Sequence, residues 1–306
     1  MSLDLISQQC SRPEGRLQRI EDCLEPYRTL RLKLCTGGIM VVRIVTDSGA
    51  DIPEEVCSEL GIVVVPLTVS FGVDSYQDGI DLKGDEFYRR LIEDDAMPTT
   101  SQPSVGSFVE AYDALKNSAA EVLSIHVSSK LSGTLNSATQ ATSQADLGSK
   151  IRLIDSKQVS MGFGFSVIAA AQAANQGASL EQTAAAAQST LDRTSVFVLF
   201  DTLKYLEKGG RMGKASALLG TVLQIKPILT LDDGVIAIKQ KIRTFRKGIQ
   251  GMSQLVDACG SLESAAVLYT TDPSEADRFA DGLKGNLPVG STPPTIRLSP
   301  AIGTHG

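Results

Sequence analysis

The 306-residue sequence contains no tryptophan, and only 5% of it is aromatic. No uninterrupted apolar run approaches the ~20 residues of a membrane-spanning helix, which argues against a stable membrane insertion. There is no basic excess either. A net charge of −6 counts against nucleic acid as the main partner, because phosphate backbones are bound by concentrated positive surface. Histidine occurs only twice, as His126 and His305, and no HExxH is present, so a histidine-rich metal site is excluded and no metal or other cofactor is expected. The five cysteines (Cys10, Cys23, Cys35, Cys57, Cys259) form no CxxC pair. An odd, scattered set reads as reduced thiols of a cytoplasmic protein rather than a disulfide framework.

What is present is a globular composition, 42% hydrophobic and 21% charged, in a chain long enough for two cores. From Met40 onward apolar runs alternate with helical patterns: "VVRIVT", "IVVVPLTV", "EVLSIHV" and "KIRLID" as strands, with helices over 51–61, 84–94, 103–118 and from 133. This alternation predicts an α/β fold, a Rossmann-like parallel sheet over 40–190 that includes an alanine-rich helical connector at 165–191. Beyond 190 the pattern changes. "PILTLDDGVIAIKQKIRTF" reads as two strands joined at Asp233-Gly234, a strong hairpin signal, and further strands and helices follow. Residues 191–306 are therefore expected to form a second, smaller α+β domain with antiparallel pairing. Residues 1–39 match neither part. They read as an appendage ahead of a start at Met40, or as an N-terminal helix packed on the body.

The stretch "HVSSKLSGTLNSATQ" places six hydroxyls after a strand and at the start of a helix. In an open α/β sheet, ligands lie beyond the carboxyl ends of the strands, where helix N-termini present N–H groups to anions. One N-cap needs one hydroxyl; this turn has Ser128, Ser129, Ser132, Thr134 and Ser137, around Gly133. "MPTTSQPS" supplies a second hydroxyl cluster before another helix, ending at a Ser104 cap. Asp47 and Asp155 close strands as Asp-Ser pairs and read as turn caps, with an acid/base or metal role the minority alternative. "LEKGGRMGK" is not a phosphate loop: Lys208 stands where its first glycine belongs, and Ala215 follows Lys214. "GFGFSV" has Val167 where GxGxxG needs glycine. Lys239, Lys241 and Arg243 form a cationic strand face, by default solvated.

Taken together, "TDSGAD", "PTTSQPS", "SSKLSGTLNSA", "IDS", "LEKGGR", "KPILTLDDG" and "SPAIGTHG" resemble the DegV family of bacterial fatty-acid-binding proteins, in family order over about 40–306. The resemblance implies one long-chain fatty acid between the two domains. It implies that Thr100 and Ser132 hold the carboxylate, with His305 at the same end and Arg211 near the mouth. Ser101, Gly133 and Thr134 would support the site. It also implies a carrier without chemistry of its own, which presents the carboxylate to a separate fatty-acid kinase. The family pattern runs past "GTH", whereas this sequence stops at Gly306. The alternative from the residues alone is a small phosphotransferase using the hydroxyl-rich turns for phosphate, against which the missing phosphate loop weighs. If 1–39 is an appendage, deleting it leaves the melting temperature and lipid binding unchanged in calorimetry; a large drop in stability would show that it packs on the core.

Overall fold

The computed structural model describes residues 42–93, 97–118, 121–147, 150–218 and 225–306; the 1–39 segment lies outside them. Four strands form a parallel sheet in the order β2-β1-β6-β7: β1 (Val42–Asp47), β2 (Val63–Val65), β6 (Glu121–His126) and β7 (Ile151–Asp155). Both faces of this sheet are covered, as parallel sheets require. Val42, Ile44, Leu123 and Ile125 point to one side and pack against Met161–Asn175 and Leu180–Arg193. Val45 and Val122 point to the other, beneath Val105–Leu115 and Thr134–Thr142. This is the α/β layer the alternating pattern predicts. The alanines of 165–191 mostly serve close helix packing: Ala170, Ala171, Ala184 and Ala187 are all buried in that first core.

The apolar run "IVVVPLTV" is not one strand. Pro66, which has no N–H to donate, separates β2 from β3 (Thr68–Phe71). β3 leaves the parallel sheet and pairs antiparallel with β4 (Asp74–Gln77) and β5 (Thr99–Ser101). That small sheet puts Thr100 opposite Val69.

The hairpin expected at Asp233-Gly234 forms. β9 (Lys226–Asp232) and β10 (Val235–Ile242) pair antiparallel, and both turn residues have positive φ, at 48° and 80°. β8 (Val198–Leu199) joins the other side of β9, which leaves β10 at the edge with Lys239 and Lys241 exposed. Antiparallel pairing does not extend through the rest of this region. β11 (Val267–Tyr269) and β12 (Thr295–Arg297) pair in parallel across the helix Pro273–Gly282, a βαβ unit.

The last residues cross back to the first sheet. Asp51 Oδ1 accepts the N–H of Ser299 at 3.0 Å and Asp78 Oδ1 that of Ala301 at 3.2 Å, so two carboxyls hold the start of the short helix Pro300–Gly303. Ser160 and Ser48 donate to their other oxygens at 2.5 and 2.6 Å. Burial raises Asp51 to about 6 and Asp78 to about 7, against the hydrogen bonds that favour their charged forms. The folded protein thus keeps protons that the unfolded chain releases above about pH 4, and this contribution to stability is lost as pH rises towards 7. An Asp78→Asn variant is expected to lose the Asp78 share of that slope and keep that of Asp51: chemical denaturation at pH 4 and pH 7 should show the wild type losing on the order of 3 kcal/mol more than the variant. Equal slopes would contradict the account.

Candidate functional site

The hydroxyls after β6 divide into builders and site groups. Asp47 anchors the turn: its Oδ2 accepts from Val127 N at 3.1 Å and faces His126 Nδ1 at 2.9 Å, and its Oδ1 accepts from Gly49 N at 3.1 Å. His126 Nε2 in turn meets Ser124 Oγ at 2.7 Å, and Ser124 meets Tyr112 Oη at 3.0 Å. This Ser-His-Asp order mimics a hydrolase triad, but all three residues are sealed from solvent, so no substrate reaches Ser124. Asp155 accepts from Ser129 and Lys157 N–H groups, which makes it a turn cap as well.

Ser128 Oγ donates to Gly234 O at 2.8 Å, tying the loop to the hairpin tip. Ser132 is a site group. Its Oγ pairs with Thr134 Oγ1 at 2.8 Å and accepts from Thr134 N at 3.3 Å, ahead of the helix Thr134–Thr142. Gly133 approaches Gln102 closely: a Cβ there would lie 2.8 Å from Gln102 Nε2, the movable end of that side chain.

Thr100 Oγ1 and His305 Nε2 lie 2.8 Å apart although 205 residues separate them in sequence. Burial, with the Arg211 guanidinium nearby, pushes His305 down to about 4, so it is neutral at pH 7. Its Nδ1 is buried and has no hydrogen-bond partner among the described residues. The ring packs on Gly209, where any side chain would collide with it. Arg211 bridges two loops, with Nη1 donating to Gly209 O at 2.6 Å and Nε to Leu131 O at 3.3 Å.

Thr100, Ser101, Ser132, Arg211 and His305 all line one cavity of about 1940 Å³, well above the ~300–1,000 Å³ of ordinary small-molecule sites. Gly133 and Thr134 stand behind Ser132 and do not line it. The rest of the wall is largely apolar. Phe165 and Ile168 come from one side, and Ile249, Met252, Val256 and Phe279 from the later half of the chain. Two residues of the site had no distinguishing signal in the sequence: Gln102, a polar residue between Ser101 and Pro103, and Gly209, one of two adjacent glycines. The end of "LEKGGRMGK" is structural: Gly213 packs on the Ile236 backbone and Lys214 pairs with Asp232.

The DegV family model matches residues 41–306. The chain belongs to the DegV family. A DegV domain-containing protein of Caldanaerobacter subterraneus is 40% identical over 209 residues, 68% of this chain and 74% of the relative. One from Listeria innocua is 32% identical, over 86% of this chain and 94% of its own. Among solved structures, a fatty-acid-binding DegV family protein from Thermus thermophilus superposes with a TM-score of 0.80 at 32% identity, covering 87% of this chain and 95% of that one. DegV from Bacillus subtilis, a fatty acid binding protein, gives 0.78 at 33% identity over 87% and 95% of the two chains. The parallel sheet accompanied by antiparallel sheets is thus the architecture of DegV proteins. Among the described residues, no helix is long and apolar enough to cross a membrane.

Proposed function

We propose that this DegV protein binds a long-chain fatty acid, such as palmitate or oleate, with its carboxylate at Thr100 and Ser132 and its chain in the apolar cavity. The observation that carries the reading is the hydroxyl–imidazole pair Thr100–His305, set beside Ser132 at a polar end of a large apolar cavity. A carboxylate withdrawn from water needs donors in place of its hydration. Neutral His305 donates from Nε2 to Thr100 Oγ1, which frees the Thr100 hydroxyl hydrogen for the ligand; Ser132 supplies a second hydroxyl. Burial of the chain contributes ~0.8 kcal/mol per CH₂. The names of the Thermus thermophilus and Bacillus subtilis relatives, both described as binding fatty acids, point the same way.

The finer reading is a cytoplasmic carrier without chemistry of its own, which presents the carboxylate to a fatty-acid kinase. In this reading Arg211, a half-buried residue of the cavity wall, serves the partner or the phosphate formed on transfer. Protein purified from a bacterial host is expected to carry a C14–C18 fatty acid in native mass spectrometry. Removing a hydrogen bond to a charged group costs ~1.5–3 kcal/mol, so Ser132→Ala or Thr100→Val weakens a fluorescent fatty acid at least tenfold. Apo protein that palmitate does not stabilise, or Ser132→Ala binding as wild type, would overturn the reading.

A further inference from the structure

The C-terminal segment is part of the cavity wall, since Ala301, Ile302, His305 and Gly306 all line it. It is held in place where it leaves β12. Ser299 N and Ala301 N donate to Asp51 and Asp78, and Tyr88 Oη donates to Leu298 O at 3.3 Å. Beyond these bonds the segment has one short helix, Pro300–Gly303, before its last three residues.

The two carboxyls form one buried cluster, at 7% and 2% exposure. Asp51 faces Ser160 and Ser299, with Asp47, itself engaged with His126, acting on it from the end of β1. Asp78 faces Ser48, Ser299 and Ala301, and Asp51 acts on it. Tyr88 lies close to both, and burial keeps its hydroxyl protonated. Among the described residues no cation pairs with either carboxyl: Arg297, stacked on the Tyr88 ring, is committed to Asp85. Two buried carboxyls that repel one another and lack a cation disfavour ionising together.

We infer that residues 299–306 are a proton-dependent strap over the polar end of the cavity, which opens more often as the pH rises through neutrality and lets the bound fatty acid exchange. The inference rests on the fatty-acid reading above. When the strap opens, water reaches both carboxyls and they ionise at ordinary carboxylate values. The closed state therefore holds the protons, with Asp51 at about 6 and Asp78 at about 7, and raising the pH through those values favours opening. His305 acts in the opposite sense. Burial lowers it from 6.5 to about 4, so an opened His305 takes up a proton below about pH 6.5. Comparing variants separates the two effects.

The test is stopped-flow displacement of a fluorescent fatty acid by excess oleate at pH 6 and pH 8, in wild type and Asp78→Asn. A single proton held at about 7 shifts the opening equilibrium about tenfold over that range. The ratio of the exchange rate at pH 8 to that at pH 6 should thus be about tenfold larger in wild type than in the variant. A variant that is merely less stable exchanges faster at both pH values and keeps the wild-type ratio, so equal ratios would overturn the inference. If Asp78→Asn does not fold, Asp78→Ser takes its place. Hydrogen exchange reads the strap without a ligand: corrected for intrinsic rates, protection of the Ala301, Gly303 and Thr304 amides should fall about tenfold more in wild type than in the variant between pH 6 and pH 8. Equal falls would also overturn it. If wild type binds no fluorescent fatty acid, the fatty-acid reading fails, and hydrogen exchange still decides whether the strap opens.

Discussion

The headgroup end exists because the C-terminal segment is brought back across the chain by two buried carboxyls. Asp51 and Asp78 accept the N–H groups of Ser299 and Ala301, 248 and 223 residues away in sequence. Tyr88 adds a hydrogen bond to Leu298 O. These contacts fix the short helix whose next residues are Thr304 and His305. Without them, Thr100 would have no imidazole beside it, and Gly209 and Arg211 would face an open edge. Burying two carboxyls is costly, and the cost appears in their raised proton affinities. The site is assembled at the expense of stability at neutral pH.

Within the site, the polar groups are graded by charge. At the acyl end the donors are neutral: a serine, a threonine and a histidine kept uncharged by burial. Arg211, half-buried beside them, is held by two backbone carbonyls. Neutral donors satisfy a monoanion without the desolvation penalty of a buried ion pair.

The alternation of strands and helices, the hairpin at Asp233-Gly234 and the hydroxyl turn were legible because each is a local pattern. Thr100, Ser132, Arg211 and His305 were legible through motif resemblance, and the structure brings all four to one cavity. Other features depend on contacts that local pattern does not encode. The strands "DSYQ" and "TTS" are short and polar and gave no apolar alternation. Asp78, in "YQDGID", reads as an ordinary turn residue, and nothing nearby shows that it meets Ala301. Several hydroxyls that seemed reserved for a ligand, Ser128 and Ser129 among them, instead hold the turn itself.

The central claim is that the fatty acid lies with its carboxylate at the Thr100–Ser132 end, beneath the returned C-terminal segment. A crystal structure of the palmitate complex tests it most directly. The account predicts both carboxylate oxygens within about 3 Å of Thr100 Oγ1 and Ser132 Oγ, with His305 still bonded to Thr100. A carboxylate at the opposite end of the cavity, with the methyl end against His305, would contradict it.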